Sequence, residues 1–142
     1  MPFEVTPKEV EYQVTQTLLG NSYKVFLSNS STLTIDSTTA QWTATELSAT
    51  NGYAAVTGTV SATGTYNSTL KSFETAQINA VFTATTGPIN FRAIIIQLST
   101  TGGGARNYPY AVNIFPTQQT IAAGTSLPFG IQLASQGLPS II

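Results

Sequence analysis

Residues 89–98 read INFRAIIIQL, a run that is apolar on both faces of any strand it forms. A strand of that kind belongs in the middle of a sheet, with a covering layer on each side. That requirement restricts the chain to layered architectures. The preceding segment, FETAQINAVFTA, alternates instead: Ala76, Ile78, Ala80, Phe82 and Ala84 share one side, and Thr75, Gln77, Asn79 and Thr83 the other. It predicts a half-buried strand.

The rest of the chain from residue 20 onward carries the same punctuation, short runs of Val, Ile, Thr, Phe and Tyr separated by Gly, Asn, Ser and Pro. SYKVFLS sets Tyr23, Val25 and Leu27 on one face, STLTIDS sets Leu33 and Ile35 likewise, and the turn at 29–31 between them predicts a hairpin. Asn51-Gly52 is a turn signal before a thin strand with Ala54, Val56 and Val60 on one face and Tyr53 and Thr57 on the other. YNSTLKSF reads as a turn. YPYAVNIFP reads as a strand bounded by Pro109 and Pro116 with Tyr110, Val112 and Ile114 inward, and a turn at Gly124 leads to a last strand through Phe129, Ile131 and Leu133. Seven or eight short strands with turns between them predict an all-β fold, a β-sandwich or jelly roll. This domain spans 20–134, and the flanking segments read as arms.

The N-terminal arm, 1–19, fits a helix through Val10, Val14 and Leu18 as well as a strand through Val10, Tyr12 and Val14. The C-terminal tail, 135–142, closes on Leu138, Ile141 and Ile142. Phe3, Val10, Val14 and Leu18 in one arm and Leu138, Ile141 and Ile142 in the other are the candidate contact residues. The N-terminus lacks the basic and apolar regions of a secretory signal, and no run approaches the roughly 20 apolar residues of a membrane helix. The expectation is a chain made in the cytosol and soluble, with no membrane partner.

Only 11 of the 142 residues are charged, where a soluble surface usually holds about 25–35% Lys, Arg, Glu and Asp. The polar surface therefore falls to 24 Thr and 13 Ser. Hydroxyls that find partners are cheaper to bury than unpaired ions, so such a surface can be packed against neighbours. The five basic residues, Lys8, Lys24, Lys71, Arg92 and Arg106, are scattered singly, which argues against binding a phosphate backbone.

The chain has no histidine and no cysteine. That removes Ser-His-Asp and Cys-His nucleophilic sites and the zinc, haem and copper centres built on those ligands. Carboxylate chemistry remains, and Glu46 with Glu74 is the pair to examine for a glycosidase-like arrangement. No Asp-rich loop suggests calcium, and TGGGARN at 101–107 lacks the Lys-Ser/Thr of a phosphate loop. Neither an enzyme nor a cofactor is expected. Trp42, Tyr53 and Tyr66 form a possible ligand face for sugar rings, since exposed aromatics concentrate at binding surfaces. Arg92, inside the doubly apolar strand, needs a carboxylate partner, either Glu74 or a glutamate of a neighbouring chain.

Read together, WTATELSATNGYA, then GTYNSTLKSFETAQINAVFTATTGPINFRAIIIQLST, then IAAGTSLPFGIQL resemble small virion proteins of tailed bacteriophages. The shared order is a GYA strand at Gly52 to Ala54, a turn at Tyr66-Asn67, an F-x-A-x-x-G strand end at Phe82 to Gly87, the central strand Ile89 to Leu98, and the turn from Ile121 to Leu127. The likeness covers roughly 40–134. The resemblance implies a capsid decoration, or cement, protein without an active site, held in the virion by the major capsid protein and by copies of itself, with a trimer expected. The alternative it implies is a tail, collar or fibre component, with a receptor- or carbohydrate-binding role on the face of Trp42 and Tyr53.

Overall fold

The computed structural model describes residues 6, 22–60, 64–69, 72–75, 77–98, 107–131 and 134–135. The fold is an all-β sandwich. Among the described residues there are nine strands, β1 (Ser22–Ser28), β2 (Val56–Thr59), β3 (Gly64–Asn67), β4 (Ser72–Thr75), β5 (Ile78–Thr83), β6 (Ile89–Leu98), β7 (Ala111–Ile121), β8 (Ser126–Ile131) and β9 (Ala134–Ser135), and one helix, α1 (Thr39–Ala44).

The first layer is a four-stranded antiparallel sheet in the order β2-β1-β6-β7. The second is built from the ladder β5-β8 and the ladder β3-β4-β9. β4 and β5 follow one another along the chain, as do β8 and β9, and the pairing passes from Ile78↔Ile131 to Glu74↔Ala134 with a one-residue change of register. The FETAQINAVFTA segment is therefore split between two ladders. Its alternation holds: Ile78, Ala80, Phe82 and Ala84 are buried, and Gln77, Asn79, Val81 and Thr83 are exposed.

As INFRAIIIQL requires, β6 pairs on both edges and is covered on both faces. One face joins Val25 and Leu27 of β1 and Ala80 and Phe82 of β5 in the main core. The other carries Ala93 and Ile95, which pack with Phe26 and Trp42. Strict alternation would put Phe91 with Ala93 and Ile95. Instead Phe91 lies in the main core with Ile94 and Ile96, because the register breaks between Phe91 and Ala93. Phe91 opposes Gln119 and Ala93 opposes Ile114, so β7 carries four residues, 115–118, where β6 has Arg92 alone. The bulge exchanges the faces of β6.

The same bulge takes in Pro116. The sequence placed a strand end there, but β7 continues to Ile121, since a proline without an N–H is tolerated where an edge strand leaves its ladder. Two further expectations are corrected. STLTIDS forms turns rather than the second strand of a hairpin, and Ile35 stays 73% exposed while Leu33 packs on the Trp42 cluster. Tyr53 and Val60, expected on opposite faces, both enter the main core, because residues 53–55 precede β2 and are not in its ladder.

The Asn51-Gly52 turn forms as expected, with φ of 55° and 86°. Its amide and carbonyl tie it to the loop that leads into β6: Asn51 Nδ2 donates to Pro88 O (2.9 Å), and Thr85 N donates to Asn51 O (2.8 Å). Glycine is needed at 52 for two reasons, the left-handed φ and the close approach of Thr85, whose Oγ1 would lie 2.7 Å from a Cβ.

Candidate functional site

The three aromatics expected to form one ligand face are distributed over two cores. Trp42 is fully buried against Phe26, Ala93 and Ile95, on the α1 side of the first layer. Tyr53 is 5% exposed in the main core, on the opposite side, and Tyr66 packs at the edge of that core. An exposed stacking platform of Trp42, Tyr53 and Tyr66 is therefore absent.

Trp42 is placed by a local signal in the sequence. Thr38-Thr39-Ala40-Gln41 is a capping box: the Thr38 hydroxyl accepts from Gln41 N (3.2 Å), and the Gln41 side chain accepts from Thr38 N (2.8 Å). This starts α1, whose only buried residue is Trp42. Thr39 N also donates to Asn107 O, fixing the helix to the strand that begins at Ala111.

Glu46 is held in a polar relay beside that helix. Lys24 Nζ pairs with one carboxylate oxygen (2.5 Å), and the Tyr53 hydroxyl donates to the other (2.9 Å). The same hydroxyl accepts from Leu27 N (3.1 Å). Lys24 also lies 4.9 Å from the centre of the Phe26 ring. The relay ties β1 to the segment between α1 and the Asn51-Gly52 turn, and it uses both oxygens of Glu46. The proposed partner carboxylate, Glu74, lies in β4, and its side chain is outside the described residues.

Burial pushes the Tyr53 hydroxyl well above the ordinary tyrosine range; the Leu27 N–H pulls the other way, and the Glu46 carboxylate adds to the rise. The fold thus retains the neutral phenol, while the unfolded chain ionises near pH 10. Stability from this group is complete below that pH and is lost as the pH climbs toward the folded value, by up to about 1.4 kcal/mol per pH unit. Tyr53→Phe should flatten this alkaline limb in urea unfolding measured from pH 8 to 11. At neutral pH the same change orphans the buried Leu27 N–H and should cost about 1–3 kcal/mol. A variant with an unchanged alkaline limb would show that other groups govern it.

Arg92 sits half-buried at the bulge. Among the described residues the one ion pair is Lys24 with Glu46, and the side chain of Glu74, one partner expected for Arg92, lies outside them. The arm residues Phe3, Val10, Val14, Leu18, Leu138, Ile141 and Ile142 lie outside the described residues. No cluster of metal-ligating side chains occurs among the described residues, and no helix among them is long and apolar enough to cross a membrane.

The feature with the dimensions of a binding surface is one that pattern reading missed. β5 lies on the β2 side of the sandwich and β8 on the β7 side, so among the described residues the second layer stops short of covering β7. An apolar groove remains along the β7-β8 flank. It consists of a 450 Å³ cavity walled by Phe91, Phe115, Ile121, Leu127 and Phe129, and a 290 Å³ cavity where Phe129 meets Ile94 and Ile96. Phe91 and Phe115 meet edge to face at 5.7 Å on its floor. Among the described residues β7 pairs only with β6 and β8 only with β5, leaving two free strand edges beside the groove. The sequence signal for it was charge: no Lys, Arg, Asp or Glu occurs anywhere from 107 to 142. Compared with known proteins, the chain matches no family model, no curated protein and no solved structure.

Proposed function

We propose that this chain is a non-enzymatic structural protein of a phage virion, a capsid decoration protein that binds and stabilises the head shell through its arms and apolar interfaces. The observation that carries the reading is the uncharged flank. Proteins that stay free in solution protect exposed strand edges with lysine, other charge or a covering segment. Here an 11-residue strand, at the sheet edge among the described residues, borders an apolar groove within a stretch devoid of charge, broken only by Pro116 and the bulge. Such a flank suits a protein that spends its working life packed against neighbours. The hydroxyl-rich remainder of the surface is consistent with this, since it can be buried without stranding ions.

The interior positions of Trp42 and Tyr53 remove two of the three aromatics from a sugar-stacking face, and both carboxylate oxygens of Glu46 are engaged by Lys24 and Tyr53, which favours an adhesive over a ligand-binding use of this surface. The test is the copy number of this chain in purified particles, measured by quantitative mass spectrometry against the major capsid protein. A stoichiometric ratio of one per few capsid subunits is the expected result. A handful per particle would move the chain to the tail or fibre, and its absence from particles would overturn the virion reading.

A further inference from the structure

We infer that the β7-β8 groove receives the N-terminal arm of a second copy of this chain, with residues 10–18 laid as an added strand beside β8. The inference deepens the virion reading and rests on its premise that the arms bind neighbours. Three observations point to this occupant. Among the described residues the groove has the place of one further strand: the first layer has four strands, the two-stranded ladder opposite reaches only as far as β8, and the next place in the second layer lies over β7. Among the described residues β8 has a free edge, and Leu127 and Phe129 already face inward from it. An extended segment in that place would gain main-chain bonds from the edge and bury alternate side chains in the cavities.

The arm has the matching pattern. Val10, Tyr12, Val14 and Leu18 share one side of a strand, while Glu11, Gln13, Thr15 and Thr17 share the other, broken on the apolar side only by Gln16. From Tyr12 to Asn21 it carries no charge, like the groove. An apolar, uncharged face would thus fill an apolar, uncharged cavity, with the polar side turned outward.

Geometry assigns the arm to a neighbour. Tyr23 pairs with Leu98, so β1 begins at the Leu98 end of β6. From Leu18 to Ser22 the chain spans at most about 14 Å. Reaching the groove from β1 means passing two strands, roughly 10 Å, and the gap between layers, roughly 10 Å, by a path around rather than through the core. An arm folded back on its own domain would also run parallel to β8, because β8 advances from the cavity at Ile121 toward the cavity at Ile96, that is, toward the end where β1 starts. Every ladder among the described residues is antiparallel. An arm from a second copy is free of both constraints.

The test uses the full chain. In light scattering coupled to gel filtration, the unaltered protein should be an oligomer, and Val14→Asp should reduce its mass to the 15.0 kDa of one chain while leaving a cooperatively unfolding β domain with an unchanged far-UV circular dichroism spectrum. Because the chain has no cysteine, Val14→Cys and Ser126→Cys, made in separate chains and mixed, give a second readout with a short bismaleimide. Cross-linking between the two different variants, in large excess over either with itself, is expected. An oligomer that survives Val14→Asp, an unaltered protein that is monomeric, or a double-cysteine chain that cross-links only within itself would each overturn the proposal. Particle incorporation is scored separately. Arm-dependent self-association in a chain absent from particles would sink the virion reading alone, and incorporation of a chain whose association ignores Val14→Asp would sink this inference alone.

Discussion

Trp42→Ala should lower the free energy of unfolding by about 3–5 kcal/mol, the range for deleting a large aromatic from a packed core. Three features place it at the upper end. Trp42 is fully buried, and it is the single buried residue of α1. A six-residue helix has almost no stability of its own, so α1 persists because of what its tryptophan packs against. The surfaces beneath it, Phe26, Ala93 and Ile95, are themselves fully buried, and loosening the helix would expose one entire face of the central strands. Because the indole Nε1 has no hydrogen-bond partner among the described residues, Trp42→Phe should lose packing only and retain much of the stability. Urea unfolding followed by circular dichroism measures both, since the change removes the one tryptophan fluorophore. A loss under about 1 kcal/mol would mean that α1 does not hold the second core together.

The residues that made the fold legible were those whose signal is local. INFRAIIIQL demanded two covering layers and has them; the alternation of Ile78, Ala80 and Phe82 identified the inner face of the second layer; and Asn51-Gly52 marked a turn through backbone preference alone. Failures arose where structure depends on partners distant in sequence. The face of Phe91 follows from three extra residues on β7, which nothing in the sequence of β6 reveals. Glu46 reads in the sequence as a candidate catalytic carboxylate because its partners, Lys24 and Tyr53, lie 22 and 7 residues away. Leu33 and Ile35 are two apolar residues at strand spacing, too short a pattern to specify a strand against the turns that Ser30 and Ser37 hydroxyls stabilise there. The capping box at Thr38 was local and readable, and it alone would have warned that Trp42 belongs to a helix. The groove is legible only as an absence of charge, since its shape comes from the unequal widths of two layers.

Phe82→Ala should be comparably damaging, at about 3–5 kcal/mol, with the melting temperature lowered by roughly 10–20 °C. Phe82 is 1% exposed and joins the loop before β2 to β8: its ring stacks on Tyr53 at 6.0 Å and meets Phe129 edge to face at 5.7 Å. Removing it therefore unseats the loop that carries the Glu46 relay and the strand that lines the groove. Phe129, only half-buried, should cost less on truncation, and a double-mutant cycle between the two rings should report a coupling of about 0.5–1.5 kcal/mol. Coupling near zero would mean that the two rings are adjacent without supporting one another. The pair also separates folding from assembly. If the groove is an interface, Phe82→Ala should weaken association only in proportion to unfolding, because it acts from behind the wall. Phe129→Ala reshapes the wall itself and should weaken association in a chain that remains folded.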